Sequence, residues 1–145
     1  MTEVAFHFGA PDKLAYAGRL LRKATGAGAR LWVLASQAQR QSLTPLLWGL
    51  TPTSFVTHCQ QEADISVQKR SAVMLVSDLT QDPQGYRVLV NLCADMPQGF
   101  ERFERVIEVV SHEEEDRQAA RQRWRHYTAL GYTIVRHDLN LRPGS

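Results

Sequence analysis

The chain has 145 residues, of which 43% are hydrophobic and 22% charged, and its formal net charge is +2. Those values are ordinary for a soluble globular protein and make one domain the expectation. A chain of this size buries roughly 68–70% of its unfolded surface, which removes the need for disulfide or metal staples. The charge does not mark a general nucleic-acid binder, so any basic site has to be local.

In chain order, "EVAFHF" alternates and is β-prone, which predicts a first strand over residues 3–8. Pro11 and Asp12 open an amphipathic helix to about Ala24, with Leu14, Ala17, Leu20 and Leu21 at helical spacing. "TGAG" closes it with glycine. "ARLWVLA" is apolar almost throughout, as a central parallel strand should be. Ser36 is the expected N-cap of a second helix reaching about Trp48, with Pro45 expected to end or kink it. An irregular stretch follows, with a short strand around Phe55. "SAVMLVS" and "YRVLVNL" read as strands, and the turn residues of "DLTQDPQG" predict a hairpin between them. "MPQGFERFE" can form a short helix, and the β-branched "RVIEVVS" reads as a strand. A helix from residue 112 and a last strand, "YTIVRHDL", complete the order. The expected fold is a single-domain α/β protein, residues 1–138, with a three-layer mixed sheet of Rossmann-like or helicase-like type. Residues 139–145 read as a flexible tail.

Such a fold invites a nucleotide-binding assignment, and the residues speak against it. "TGAG" lacks the third glycine of a dinucleotide fingerprint and follows a helix instead of a strand. "GAPDK", after the first strand, is no phosphate loop, and no Walker lysine occurs, so a nucleotide-hydrolysing domain is disfavoured. The histidines (His7, His58, His112, His126 and His137) do not pair at metal spacing, and no G-x-S-x-G elbow is present. His58 and Cys59 are neighbours on an extended chain and point to opposite faces. Cys59 and Cys93 show no C-x-x-C or Cys/His ligand spacing and read as reduced thiols of a cytoplasmic protein. The N-terminus has no basic segment of the secretory type, and no apolar run approaches ~18 residues. No catalysis, metal or cofactor is expected.

The informative segment is "SHEEEDRQAARQRWRHYTALGY". Ser111 with Glu114 reads as a capping box, acidic residues fill the first turn, Glu113 can pair with Arg117, and Gly131 suits the C-cap. Ala120, Trp124 and Tyr127 read as the buried stripe. Arg117, Arg121 and Arg125 stand four apart in one column, and Arg121 has no carboxylate at i±4. Like charges at that spacing cost roughly 0.2–0.5 kcal/mol per pair. An external anion would offset the cost. The pattern suits an acidic peptide with a terminal carboxylate and an apolar anchor. It suits equally a single-stranded nucleic-acid backbone with a stacked base.

Over nearly its full length the chain resembles the chi subunit of bacterial DNA polymerase III, a clamp-loader accessory protein. "LW" at 47–48 with "SFVTH" at 54–58, "GFERFERVIEVVS" at 99–111 and "DRQAARQRWRHYTALGY" at 116–132 carry the resemblance. It implies a nucleotide-binding-like fold without nucleotide, and two partners. One is the acidic C-terminal tail of single-stranded DNA-binding protein, ending in proline and phenylalanine. The other is the psi subunit, with DNA associated only indirectly. The family's two basic tail-binding positions match Arg117 and Arg121, its aromatic position matches Trp124, and a pocket-edge position matches Val110. Arg125 is added from the column itself. The implied psi contacts are Trp48, Phe55 and Val56, with Thr57 where a proline is frequent. The implied location is cytoplasmic, at the replisome.

Overall fold

The computed structural model describes residues 2–48, 56–61, 63–83 and 85–139. Its elements are β1 (Glu3–Ala10), α1 (Lys13–Gly26), β2 (Leu31–Leu34), α2 (Gln37–Trp48), β3 (His58–Gln60) and α3 (Ile65–Arg70). They continue with β4 (Val73–Val76), β5 (Val88–Asn91), β6 (Arg105–Ser111), α4 (Glu114–Ala129) and β7 (Ile134–Asp138). The strands form one seven-stranded sheet in the order β3-β4-β2-β5-β6-β1-β7. Every pairing among the described residues is parallel.

The three-layer α/β architecture follows from strands that are apolar on both faces. Val4, Phe6, Trp32, Leu34, Met74, Val76, Val106 and Val110 pack with Ala120 and Tyr127 of α4. Their odd-numbered neighbours Leu31, Val33, Val73, Leu75, Ile107 and Val109 pack with Ala17 and Leu21 of α1 and with Leu43 and Leu47 of α2.

The predicted hairpin is not formed. β4 and β5 flank β2 and both run parallel to it. Each strand is buried along nearly its whole length, which suits the interior of a parallel sheet. The turn-rich residues between them make a crossover that buries Leu79 and Tyr86 on the α4 side. Pro45 does not end α2, which continues to Trp48. The proline removes one intrahelical donor, while fully buried Leu43 and Leu47 hold the helix down on either side of it. The Ser36 cap is formed: its Oγ accepts from Gln39 N–H, and Gln39 Oε1 accepts from Ser36 N–H. α3 was not anticipated, and the segment after residue 99 makes only a short 3-10 turn, Phe100–Arg102. The strand expected around Phe55 lies outside the described residues, as do residues 140–145. Leu139 packs against the α1/α2 core.

The capping box of α4 also differs. Ser111 remains in β6, and the N-cap is Glu113. Asp116 Oδ2 accepts from the Ser111 N–H at 2.8 Å and pairs with Lys13 Nζ at 3.1 Å. Burial opposes ionisation of Asp116, yet the Ser111 N–H and Lys13 hold its carboxyl below the usual range. The helix ends in a Schellman arrangement around Gly131, whose φ is 91°. Gly131 N–H donates to Thr128 O, and Tyr132 N–H to Tyr127 O.

One charge sits within the apolar run of β6. Glu108 is fully buried and faces α4. Its carboxylate accepts from Arg123 Nε at 2.9 Å, Tyr127 Oη at 2.8 Å and Asn91 Nδ2 at 2.9 Å. Arg123 Nη1 donates to Ala94 O at 2.7 Å. Burial pushes the Glu108 carboxyl up, against the pull of Arg123, Tyr127 and Asn91. Removing one partner of such a pair strands the other charge in the interior. Arg123→Ala should therefore cost about 3–5 kcal/mol, read as a lowered urea midpoint at unchanged slope.

His7 supplies a pH dependence. It is 9% exposed, and its Nδ1 lies 2.5 Å from Tyr16 Oη. Burial, and then His137 and Arg105, lower its pKa from 6.5 to about 4. Between those values the unfolded chain binds the proton and the folded chain does not. Stability therefore falls as pH drops through this window and levels off below about 4. Denaturant titrations of the wild type and His7→Gln across pH 7 to 4 should show a shallower slope in the variant.

Candidate functional site: an arginine-walled groove

The arginine column lies on the solvent side of α4, because Ala120, Arg123 and Tyr127 are the residues it buries. Arg117, Arg121 and Arg125 form one wall of a groove of about 280 Å³. Trp124, Phe8 from β1 and Arg136 from β7 line the rest. Trp124 is half-buried, with ring centroids 5.1 Å from Phe6 and 6.0 Å from Phe8. The Arg136 guanidinium carbon lies 4.5 Å from the Phe8 centroid, a cation–π contact. An aromatic floor under cationic walls accepts a ligand that is apolar at one end and anionic at the other.

The sequence reading of Arg121 needs one correction. Glu114 is two helical turns away, yet its Oε1 lies 3.6 Å from Arg121 Nη1, while its Oε2 lies 3.4 Å from Arg117 Nη1. One carboxylate thus bridges two guanidiniums, in place of the expected Glu113–Arg117 pair. Arg136 is held by Asp138. Arg125 makes no ion pair among the described residues. The groove therefore sets four guanidiniums against two carboxylates.

Of the expected tail-binding residues, Arg117, Arg121, Trp124 and Arg125 come together. Val110 does not reach the groove wall. It is fully buried in the core of the α4 face, because β6 is covered along its length. Phe8 and Arg136 were missed. Phe8 shares the inward alternation of Val4 and Phe6, but only the adjacency of β1 and β7 brings Arg136 beside it.

Of the expected psi contacts, Trp48 and Val56 fall on the α2 side of the sheet. Trp48 is 60% exposed at the end of α2, with His58 edge-on at 6.3 Å. Leu46 beside it is 38% exposed. Val56 is buried in the α1/α2 core, its N–H bonded to Leu47 O, so its side chain offers no contact surface. Phe55 lies outside the described residues. Among the described residues no group of three or more His, Cys, Asp or Glu side chains is placed to hold a metal. Among the described residues no helix is long and apolar enough to cross a membrane.

A family model described as DNA polymerase III chi subunit, HolC, matches residues 1–135. The DNA polymerase III subunit chi of Pseudomonas aeruginosa is 33% identical over 129 residues, covering 88% of this chain and 87% of that protein. Among solved structures, the C-terminal domain of S. cerevisiae Dbp5, bound to Gle1 and IP6, superposes with a TM-score of 0.59 at 12% identity. That match covers 94% of this chain and 90% of the other, and shows the fold alone. Fold and groove together define a parallel α/β domain that carries its cationic site on an outer helix. The chain belongs to the DNA polymerase III chi subunit family, and its role is that of a replication accessory protein.

The arginine column is not structural. Exposed ion pairs are worth about 0–1 kcal/mol, and the Glu114 pairs are about half exposed on both sides. Glu114→Gln and Arg121→Ala should each change the thermal midpoint by only a degree or two, measured by circular dichroism.

Proposed function

We propose that this chi-family protein is a non-catalytic adaptor of the polymerase III clamp-loader complex, with residues 1–138 as its one domain. Its groove takes the acidic C-terminal tail of single-stranded DNA-binding protein, and the exposed Trp48 patch takes psi. The observation that carries the reading is the groove itself, with Arg117, Arg121, Arg125 and Arg136 around a Phe8/Trp124 floor. Its volume accommodates a phenyl ring, since an apolar cavity of about 150 Å³ already binds benzene. Acidic residues of the tail lie along the α4 column, and the terminal phenylalanine rests on the floor made by Trp124 and Phe8. DNA is reached through the tail, and the protein acts in the cytoplasm at the replisome.

A second reading is direct binding of single-stranded nucleic acid by the same helix. The packing of Trp124 on Phe6 and Phe8 favours the peptide, because it leaves less open ring face for a base to stack on.

Charge-assisted contacts of about 1.5–3 kcal/mol each, reduced by the ordering of a flexible peptide, give an affinity of order micromolar, about −8 kcal/mol. Calorimetric titration with a peptide of three acidic residues followed by Ile-Pro-Phe tests this. One-to-one binding should weaken with salt, and it should fall at least about tenfold in Arg121→Ala and when the phenylalanine is removed. Unchanged binding by Arg121→Ala rejects the site. An oligonucleotide that binds more tightly than the peptide, with a steep salt slope, selects the second reading.

For psi, Trp48→Ala should abolish co-purification of the two subunits and leave tail-peptide affinity unchanged. Retained co-purification rejects that patch.

A further inference from the structure

The four guanidiniums of the groove are not equivalently engaged. Glu114 divides one carboxylate between Arg117 and Arg121 at 3.4 and 3.6 Å. Asp138 instead grips Arg136 with two short bonds, to Nε at 2.8 Å and to Nη2 at 2.9 Å. Residues two apart on a strand share a face, so Asp138 is built in beside Arg136. Its fork–fork geometry is the one in which arginine binds a carboxylate most strongly. Asp138 therefore occupies on Arg136 the positions that a ligand carboxylate would take.

Position singles out which carboxylate that is. Arg117, Arg121 and Arg125 repeat at one-turn intervals along α4, a row that suits successive acidic side chains. Arg136 stands alone on β7, stacked on Phe8, whose ring is part of the aromatic floor. In a peptide that ends in an aromatic residue, the α-carboxylate and the ring belong to the same residue. A ring seated on the floor brings its own carboxylate beside the floor, where Arg136 is, and not out along the row.

We propose that Arg136 and Asp138 form an exchangeable latch that reads the free C-terminus of an acidic, aromatic-ended peptide. Arg136 binds the terminal carboxylate, and Asp138 is the internal competitor it displaces toward solvent. The inference rests on the reading of the groove as a tail site and adds to it the selection of a chain end over an internal acidic segment. A lone carboxylate gains too little to displace a bidentate partner already in place. A carboxylate anchored by its own ring gains the burial of that ring as well.

The test is calorimetry on the full chain with the Ile-Pro-Phe peptide as free acid and as C-terminal amide. The proteins are wild type, Arg136→Ala, Asp138→Asn and the double variant. Arg136→Ala should weaken the free acid about tenfold or more and change the amide little. Asp138→Asn should tighten the free acid several-fold, an effect opposite in sign to the loss of a structural contact. The double variant should match Arg136→Ala. If the gain from Asp138→Asn persists without Arg136, Asp138 acts only through the general field and the latch is overturned. It is overturned alone if wild type binds and neither substitution alters the preference for the free acid. If the folded wild type binds neither peptide, the tail-site reading falls and the latch with it.

Discussion

The groove depends on a contact it does not contain, the buried ion pair of Glu108 and Arg123. An α-helix turns about 100° per residue, so fixing Arg123 and Tyr127 against β6 fixes the direction of every other side chain on α4. Trp124 then lies one step around, at the edge of the buried face, where it can rest on Phe6 and Phe8. Arg117, Arg121 and Arg125 lie beyond it, toward solvent. An apolar contact at this place would bury area but would tolerate sliding and rotation. A carboxylate that accepts from Arg123, Tyr127 and Asn91 at once has one good geometry, and so acts as a register pin. One guanidinium nitrogen, Arg123 Nη2, is buried without a partner among the described residues. The pin is therefore not optimised for stability alone.

The same fold explains where the cationic site is not. In open α/β sheets ligands bind beyond the carboxyl ends of the strands. Here that hollow is lined by Asp12, Asp95, Glu113, Glu115 and Asp116, with Lys13 already engaged by Asp116. A phosphate would meet the wrong sign of charge. Glu113, Glu115 and Asp116 at the start of α4 face this hollow and complement the helix dipole, while Glu114 points to the groove. The basic residues come later in the helix and act on the opposite side of its axis. One helix thus lines the hollow at the strand ends with negative charge and a separate groove with positive charge.

The features legible in the sequence are the ones written in short-range pattern. Apolar runs gave the strands, the Ser36 cap gave the start of α2, and the four-residue spacing gave the arginine column. What was missed depends on long-range adjacency or on reach. Turn residues between "SAVMLVS" and "YRVLVNL" looked like a hairpin because composition does not say whether a third strand lies between them. Glu114 reached Arg121 across two turns because both side chains are long, beyond any i±4 rule. Arg136 entered the groove only through the pairing of β7 with β1. Glu108 carried a signal that could have been used: a charge at an inward position of an apolar strand, followed by an arginine at an inward position of the next helix. Val110 shows the converse, since a position matched by resemblance does not carry its exposure with it.

The two candidate contact surfaces lie on opposite faces of the sheet, the groove on the α4 side and Trp48 on the α2 side. The layer between them is a parallel sheet buried on both faces, with no described cavity joining the two. Sites separated in this way, without shared partners, act independently in free energy. On the proposed reading, both partners then bind at once and neither changes the affinity of the other. On that reading the benefit of joining them lies in effective concentration: a clamp loader held through one face would be kept near the DNA-bound tails met by the other. Coupling of that kind needs a rigid spacer and two modest affinities, and no conformational change. A pinned helix on a tightly packed sheet is well suited to be that spacer.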